Sequence, residues 1–205
     1  MNIAVIGTGN VGGALTKAWS KAGHRIYLGV NDTSNFKGKA LLELPHVSVH
    51  AIAEAVKHAE VILIAVPPPA IADIVKAMGN VANKIIIDTM NSVRNKPEGY
   101  NDTFEAVVAL APDTEVVKCF NTTGYENMAN PVYPNDVRID MYMAGDSKIG
   151  KEITAQLAKD LGFENCYDFG GNDKVALLEQ FALSWINLAI MQGQGRNFAF
   201  KIIKR

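Results

Sequence analysis

The chain has 205 residues, carries 20 Lys and Arg against 21 Asp and Glu, and is 48% hydrophobic. This length suits one domain with a short appendage and excludes a multidomain assembly, while the hydrophobic content disfavours intrinsic disorder. Because the net charge is −1, no basic surface is available for a phosphate backbone, and we expect no nucleic-acid partner.

Three further features concern cellular location and metals. No charged segment precedes the first apolar run, so no signal peptide is predicted. The longest apolar run, Phe181–Met191, is shorter than the roughly 20 residues of a membrane span. Cys119 and Cys166 lie far apart, and no His, Cys and acidic residues recur at the spacing of metal ligands. We therefore predict a cytoplasmic protein without a metal site or a membrane partner.

Short β-branched runs alternate along the chain with helix-like segments, which is typical of parallel βαβ units. The predicted strands are Ile3–Ile6, Arg25–Leu28, Val47–His50, Val61–Val66, Lys84–Asp88, Val116–Phe120, Asp140–Ala144 and Cys166–Phe169. The predicted helices are Val11–Ala22, Ala51–His58, Ala70–Met78, Thr103–Leu110, Ile149–Leu161 and Lys174–Met191. The apolar continuity of the strands favours an α/β fold whose doubly wound parallel sheet is covered on both faces.

The last predicted helix is apolar nearly all round, with Leu178, Phe181, Ala182, Trp185 and Ala189 on one face. A helix of this kind is buried. Core packing and contact with a second copy of the chain both satisfy this requirement, and we expect a homodimer.

The segment Gly7-Thr8-Gly9-Asn10-Val11-Gly12, called the glycine turn below, follows the first strand and opens the first helix. Its glycines permit a tight turn, close approach of a pyrophosphate and close packing of helix on strand, while the helix N-terminus offers free N–H groups. In a βαβ series this spacing predicts a Rossmann dinucleotide-binding domain, to which we assign residues 1–140. Residues 141–205 then form a small C-terminal α/β extension that is not an independent domain.

The residues after the second strand decide between NAD and NADP. An acidic residue there bonds the ribose hydroxyl of NAD, whereas cations accommodate the phosphate of NADP. Asp32 is acidic, but Asn31, Thr33, Ser34, Lys37 and Lys39 could together cradle a phosphate. The sequence leaves both cofactors open.

Three loops follow predicted strands and should converge with the glycine turn at the carboxyl edge of the sheet. They contain Val66-Pro67-Pro68, Asp88-Thr89-Met90-Asn91 and Phe120-Asn121-Thr122-Thr123. No Tyr-x-x-x-Lys pair supplies a proton donor for carbonyl reduction, and Leu178 stands where the Gly171-x-x-Lys174 pattern of β-hydroxyacid dehydrogenases expects Asn. Hydride transfer between two stacked rings needs positioning rather than an acid. We predict Asn121, Thr123 and Pro67 as ring-positioning residues and assign no residue to acid–base catalysis.

Six segments of the chain together form one sequence pattern. They are the glycine turn, Ala65-Val66-Pro67, the Asp88–Asn91 loop, Val116-Val117-Lys118-Cys119-Phe120-Asn121-Thr122, Ala144-Gly145-Asp146 and the ending around Glu179, Gly193 and Gly195. This is the pattern that carries a family resemblance. It resembles the NADPH-dependent coenzyme F-420 reductase family over nearly the whole chain. The Val-Lys-x-Phe-Asn-Thr segment also looks like the cytosolic reductase domain of six-transmembrane metalloreductases.

The resemblance implies a usually homodimeric Rossmann protein that binds NADP(H) and on which F-420, FMN or FAD stacks as hydride acceptor. The residue patterns and the resemblance together predict nucleotide contacts at Gly7, Thr8, Gly9, Asn10, Val11, Asn31, Lys37, Val66, Pro67, Pro68, Asn91 and Asn121. Members of the family carry Ser-Arg-Arg where this chain has Val30-Asn31-Asp32, which weakens the expected preference for NADP. They carry His in place of Asn121, which leaves the acceptor open.

The favoured function is hydride transfer between NADP(H) and a flavin or deazaflavin. One alternative is a reductase of small cyclic imines or carbonyls, because pyrroline-carboxylate reductases share the N-terminal pattern. Another is a non-catalytic module that senses the NADPH/NADP ratio.

Overall fold

The computed structural model describes residues 1–93 and 95–205 and contains one large sheet and one small hairpin. The strands are β1 Asn2–Ile6, β2 Arg25–Val30, β3 Val47–Ala51, β4 Val61–Ile64, β5 Ile85–Asp88, β6 Glu115–Cys119, β7 Val132–Tyr133, β8 Val137–Arg138, β9 Met141–Ala144 and β10 Cys166–Asp168. The α-helices are α1 Asn10–Lys21, α2 Ile52–His58, α3 Ile71–Met78, α4 Thr103–Leu110, α5 Tyr125–Ala129, α6 Lys148–Leu161 and α7 Val175–Ile186. Short 3₁₀ helices occupy Lys39–Glu43, Pro68–Ala70, Pro134–Asp136 and Asn172–Lys174, and a π-helical turn, Asn187–Met191, follows α7.

Eight strands form the large sheet in the order β10-β9-β6-β5-β4-β1-β2-β3. The six strands β1 to β6 are parallel to one another. Because β1 lies between β2 and β4, the order of the strands reverses at β1. This is the doubly wound order of a dinucleotide-binding fold, whose ligand site lies at the carboxyl edge beside that reversal. The predicted fold class is confirmed.

Strand β9 differs from the prediction of an entirely parallel sheet. It pairs with β6 antiparallel, with Lys118 opposite Ala144 and Cys119 opposite Met143, whereas β9 and β10 are parallel to each other. All four residues of β9 are buried, as they would be in a parallel strand. Apolar continuity therefore predicts that a strand is covered on both faces but leaves its direction open.

The segment between the predicted strands Val116–Phe120 and Asp140–Ala144, for which no helix or strand was predicted, holds regular structure. Helix α5 lies within it, and β7 and β8 form an antiparallel hairpin around Pro134–Asp136. These elements have five and two residues, so the periodic pattern on which the prediction depends is too short to detect them. The other predicted elements are confirmed, with ends shifted by one or two residues except for the last helix.

Two apolar layers cover the sheet. Helices α2, α3, α4 and α7 pack on one face, and α1 and α6 pack on the other. Residues 141–205 contribute to both layers and add two strands to the same sheet. Their assignment as a C-terminal extension that is not an independent domain stays a prediction.

The helical run Asn172–Met191 combines the last 3₁₀ helix, α7 and the π-helical turn. By length and mean hydropathy it is one helix that could cross a membrane, although the sequence was expected to hold no apolar stretch of that length. Core helices of globular proteins have the same properties, and α7 packs on the sheet through buried residues such as Val175, Leu178 and Ala182. Leu177, Leu188 and other apolar side chains of the run remain exposed. The predicted homodimer contact concerns these side chains and stays a prediction.

Candidate functional site

The glycine turn packs too closely for side chains at two of its positions. Gly7 has a φ of +102°, and a Cβ atom there would lie 2.3 Å from the carbonyl oxygen of Ala65, in the residue that follows β4. A Cβ atom at Gly12 would lie 1.9 Å from the carbonyl oxygen of Gly7. The turn is thereby pressed against α1 and the end of β4, at the reversal of the strand order.

Above the turn there is room for a ligand. A Cβ atom at Gly9 would meet nothing within 4 Å, and α1 begins at Asn10 with no side chain capping its first N–H groups. Free N–H groups and the positive end of the helix dipole favour an anion at this point. The predicted pyrophosphate contacts at Thr8, Gly9 and Val11 are thus brought together on one turn.

A cavity of about 280 Å³ opens on the β2 side of the glycine turn. Its walls come from the glycine turn, the loops after β2 and β4, and the apolar faces of α2 and α3. They include Gly7, Thr8, Asn31, Asp32, Asn35, Phe36, Ile52, Val66 and Ile74. Apolar walls with a few polar groups suit an adenine and its ribose. The structure therefore brings Asn31, Val66 and the glycine turn to one cavity.

The carboxylate of Asp32 is engaged in its own turn. Its Oδ1 accepts hydrogen bonds from Ser34 N at 2.8 Å, Ser34 Oγ at 2.6 Å and Asn35 N at 3.2 Å. The bonds from Ser34 hold the pKa of Asp32 below its ordinary value, so the residue stays charged at neutral pH. It therefore places a negative charge at the mouth of the cavity that Asn31 lines.

Lys37 lies in a different place from Asn31. It lines a second cavity, of about 320 Å³, on the α1 side of the turn, together with Asn10, Lys17 and Tyr125. The hydroxyl of Thr8 donates to the carbonyl oxygen of Lys37 and so connects this segment to the glycine turn. Lys37 and Asn31 thus line different cavities, which have Thr8 in common, and their shared contact with one phosphate stays a prediction.

Val66, Pro67 and Pro68 follow β4 beside the glycine turn. Pro67 is exposed and its carbonyl oxygen accepts a hydrogen bond from Ala70 N, which starts the 3₁₀ helix before α3. Exposure of Pro67 leaves its ring accessible to a ligand on the carboxyl edge. Its assignment as a ring-positioning residue stays a prediction.

The loops after β5 and β6 meet through two asparagines, called the amide pair below. Asn91 Nδ2 donates to the backbone oxygen of Asn121 at 2.9 Å, and Asn121 Nδ2 donates to Asn91 Oδ1 at 3.1 Å. Asn121 is buried, and the buried Phe120 before it has a φ of +57°, which turns the chain at the end of β6. The two residues that were predicted independently are therefore in direct contact.

Thr123 points away from this contact toward α5. Its Oγ1 accepts a hydrogen bond from Asn127 Nδ2 at 2.7 Å, and Asn127 Nδ2 also donates to the backbone oxygen of Phe198 in the C-terminal tail. Thr123 thus belongs to the junction between the β6 loop and the tail, and its predicted role beside Asn121 stays a prediction.

Sequence reasoning missed a buried group of charges, called the charge cluster below. Lys118 in β6 is fully buried, and its Nζ lies 3.0 Å from Asp88 Oδ2 at the end of β5 and 2.5 Å from Glu179 Oε1 in α7. Thr103 Oγ1 donates to the same Asp88 oxygen at 2.7 Å. Burial opposes the charged form of Lys118, but the two carboxylates outweigh it and raise its pKa, so it is an ammonium at neutral pH.

One signal for the charge cluster was available in the sequence. Lys118 interrupts the apolar strand Val116–Phe120, and a lysine in a strand covered on both faces needs a buried carboxylate. The partners themselves lie far away in sequence. In the part of the chain that the structure describes, no three His, Cys, Asp or Glu side chains are arranged to hold a metal ion.

Residues 2–92 match the model of a protein family described as coenzyme F420-dependent NADP oxidoreductases. The match covers somewhat less than half of the chain and includes the glycine turn and the loops after β4 and β5. The resemblance inferred from the sequence is thereby confirmed for this segment. The likeness to six-transmembrane metalloreductases stays a prediction. No curated protein matches the chain significantly.

Solved structures share the fold. A protein from Arthrobacter sp. FB24, provisionally assigned as an F420-dependent NADP reductase, is 28% identical over the whole of both chains, with a TM-score of 0.87. A hypothetical protein from Sinorhizobium meliloti is 23% identical over all of this chain and 96% of its own, with a TM-score of 0.72. A reductive aminase from Aspergillus terreus in complex with NADPH is 16% identical over 94% of this chain and 62% of its own, with a TM-score of 0.69. At these last two identities the likeness is one of fold alone.

Proposed function

We propose that the protein is an NADP(H)-dependent oxidoreductase that transfers hydride between NADP(H) and a flavin or deazaflavin ring. The observation that carries this proposal is the glycine turn at the reversal of the strand order, with the proline loop and the amide pair along the same sheet edge. The family match over residues 2–92 and the full-length likeness to the Arthrobacter protein support the same cofactor.

The chain's own residues have separable tasks in this proposal. The glycine turn and the N-terminus of α1 bind the pyrophosphate, and the cavity beside Asn31 holds the adenosine. The amide pair presents a polar surface beside the nicotinamide ring and fixes its orientation, while Pro67 limits the other side. When bound, NADPH supplies the hydride from its nicotinamide ring, and the acceptor ring takes it.

Positioning is sufficient for this reaction. A hydride carries two electrons directly from one ring to the other when the donor and acceptor ring atoms are about 3–3.5 Å apart. The accompanying proton can come from water. The absence of a Tyr-x-x-x-Lys donor in the sequence is therefore compatible with ring-to-ring transfer and less compatible with reduction of a carbonyl.

The test combines purified protein and NADPH with F-420, FMN or FAD and follows absorbance at 340 nm. We expect acceptor-dependent loss of NADPH with at least one ring, and none with the Gly12→Ala variant, whose turn cannot pack normally. Turnover with a cyclic imine and with no ring would replace the proposal by imine reduction. Tight NADPH binding without turnover of any acceptor would favour the alternative of a non-catalytic module that senses the NADPH/NADP ratio.

A further inference from the structure

No residue of the charge cluster lines either cavity beside the glycine turn, so its burial requires another reason. Lys118 and Asp88 have fully buried side chains, and that of Glu179 is 12% exposed. Two carboxylates face one ammonium, so the cluster of Lys118, Asp88 and Glu179 carries a net charge of −1. Buried ion pairs are often no more stabilising than apolar residues of the same volume, which makes stability alone a weak explanation.

Hydrogen bonds connect the cluster to the loop after β5. Asp88 Oδ1 accepts from Met90 N at 2.8 Å, and the carboxylate of Glu179 accepts from Ser92 N through Oε2 at 3.2 Å. Ser92 Oγ also accepts from Thr103 N at 3.3 Å. The backbone is thus held on both sides of Asn91 by groups that touch Lys118 or its partners.

Asn91 is in turn the residue that meets Asn121. Both contacts of the amide pair depend on where the Asn91 backbone sits, because a short side chain reaches 2.9–3.1 Å contacts from few backbone positions. Lys118 and Asn121 also lie three residues apart, on the strand and the loop that follows it. The cluster is therefore bonded to the loop that carries Asn91 and lies on the strand that leads to Asn121.

We infer that Lys118 is a positioning residue that fixes the amide pair through Asp88, Glu179 and Ser92. Charge-assisted hydrogen bonds are directional, whereas apolar packing would fill the same volume without setting the loop's position. The consequence for the ligand rests on the proposed function. Lys118 determines how the nicotinamide end is held and leaves the adenosine end unaffected.

The first test needs no ligand. In ¹⁵N-labelled protein, the side-chain amide signals of Asn91 and Asn121 should stand apart from those of free amides and exchange slowly with solvent. Lys118→Met should move both signals to free-amide positions. Lys151→Met is the matched control, because it removes a lysine from a more exposed pair with Asp168, and it should leave both signals unchanged.

The second test compares two ligands. Lys118→Met should weaken NADPH binding about tenfold, the equivalent of one lost hydrogen bond, and change the affinity for adenosine 2′,5′-bisphosphate less than about twofold. Equal weakening of both ligands would reduce Lys118 to a general structural role and overturn the inference.

Glu179→Gln keeps the inference testable if Lys118→Met fails to fold. It retains the Lys118–Asp88 pair and disturbs the link to Ser92, so the amide signals should shift in the same direction by a smaller amount. Unchanged amide signals in a folded variant of either kind would overturn the inference. Because these signals are read without ligand, a failure of the proposed function, seen as no turnover with any acceptor, is recorded separately.

Discussion

In the proposed binding mode, the two ends of the nucleotide site are held by different means. At the adenosine end, the glycine turn depends on close backbone packing, and the loop after β2 is exposed, with Asp32 bonded to its own neighbours. At the nicotinamide end, a buried lysine, two carboxylates and two hydroxyl-bearing residues connect β5, β6, α4 and α7. The first arrangement is local in sequence and the second joins residues that are far apart.

This difference teaches where each end is sensitive to change. A backbone contact fails when an atom is added, because nothing can move aside cheaply. A buried ionic network fails when an atom is removed, since the remaining charges lose their partners. Substitutions that add volume should therefore damage the adenosine end, and substitutions that delete charge should damage the nicotinamide end.

The largest effect should come from Lys118→Met. Removing the ammonium leaves Asp88 and Glu179 buried without their partner, which costs about 3–5 kcal/mol for a broken buried pair. For a chain of this size the melting temperature should fall by roughly 6–20 °C. Thermal and denaturant unfolding measure the loss of stability, with Lys151→Met as the control. If Lys118→Met loses no more stability than Lys151→Met, the buried ionic network is contradicted.

A smaller effect should come from a pair of alanine substitutions in α1. Gly12→Ala places a Cβ atom 1.9 Å from the carbonyl oxygen of Gly7, and we expect about 1–3 kcal/mol of destabilisation and a loss of NADPH affinity. Gly13→Ala is its matched control. There the nearest atoms lie 3.9 and 4.0 Å away, so replacing a helical glycine should stabilise the protein by about 0.5–1 kcal/mol.

Both variants are compared by chemical denaturation and by fluorescence titration with NADPH. The expected result is opposite signs in stability from two adjacent positions. If Gly12→Ala proves as stable as Gly13→Ala, the inference that the glycine turn is closely packed at Gly12 is contradicted.

The smallest effect should come from Asp32→Asn. The amide oxygen can still accept from Ser34, but the negative charge at the mouth of the Asn31 cavity is lost. Affinity for NADPH should rise about twofold to fivefold, and affinity for NADH should fall or stay unchanged. Asp113→Asn, before β6 at the other edge of the sheet, should change neither affinity.

Fluorescence titrations with the two nucleotides measure this preference. A larger gain for NADH than for NADPH would mean that Asp32 does not face the phosphate-bearing ribose. It would also sharpen the contrast between the two ends, since the adenosine end would then lack a charge that selects the cofactor.

The parts of the molecule that were predictable are those whose cause is local in sequence. The glycine turn, the strands from β1 to β6 and the long helices follow from residue spacing over a few positions. The meeting of Asn91 with Asn121 was also foreseeable, because loops after neighbouring parallel strands share an edge.

The remaining features depend on distant residues. Lys118 indicated a buried charge, but its partners Asp88 and Glu179 lie on another strand and on α7, and no spacing rule connects them. Likewise, the sequence could not show that Lys37 and Asn31 line different cavities beside the glycine turn. The direction of β9 was hidden because antiparallel and parallel strands can be equally buried.

The charge cluster also bears on the order in which the chain acquires its structure during synthesis. Lys118 and Asp88 are both present once β6 has been made, and as a pair they carry no net charge. Glu179 arrives about sixty residues later with α7 and adds a negative charge to a pair that is already balanced. Because N-terminal segments are made first during synthesis, Lys118 and Asp88 can meet as a neutral pair before α7 is available to cover them. Packing of α7 on the sheet then buries the pair and brings Glu179 to it.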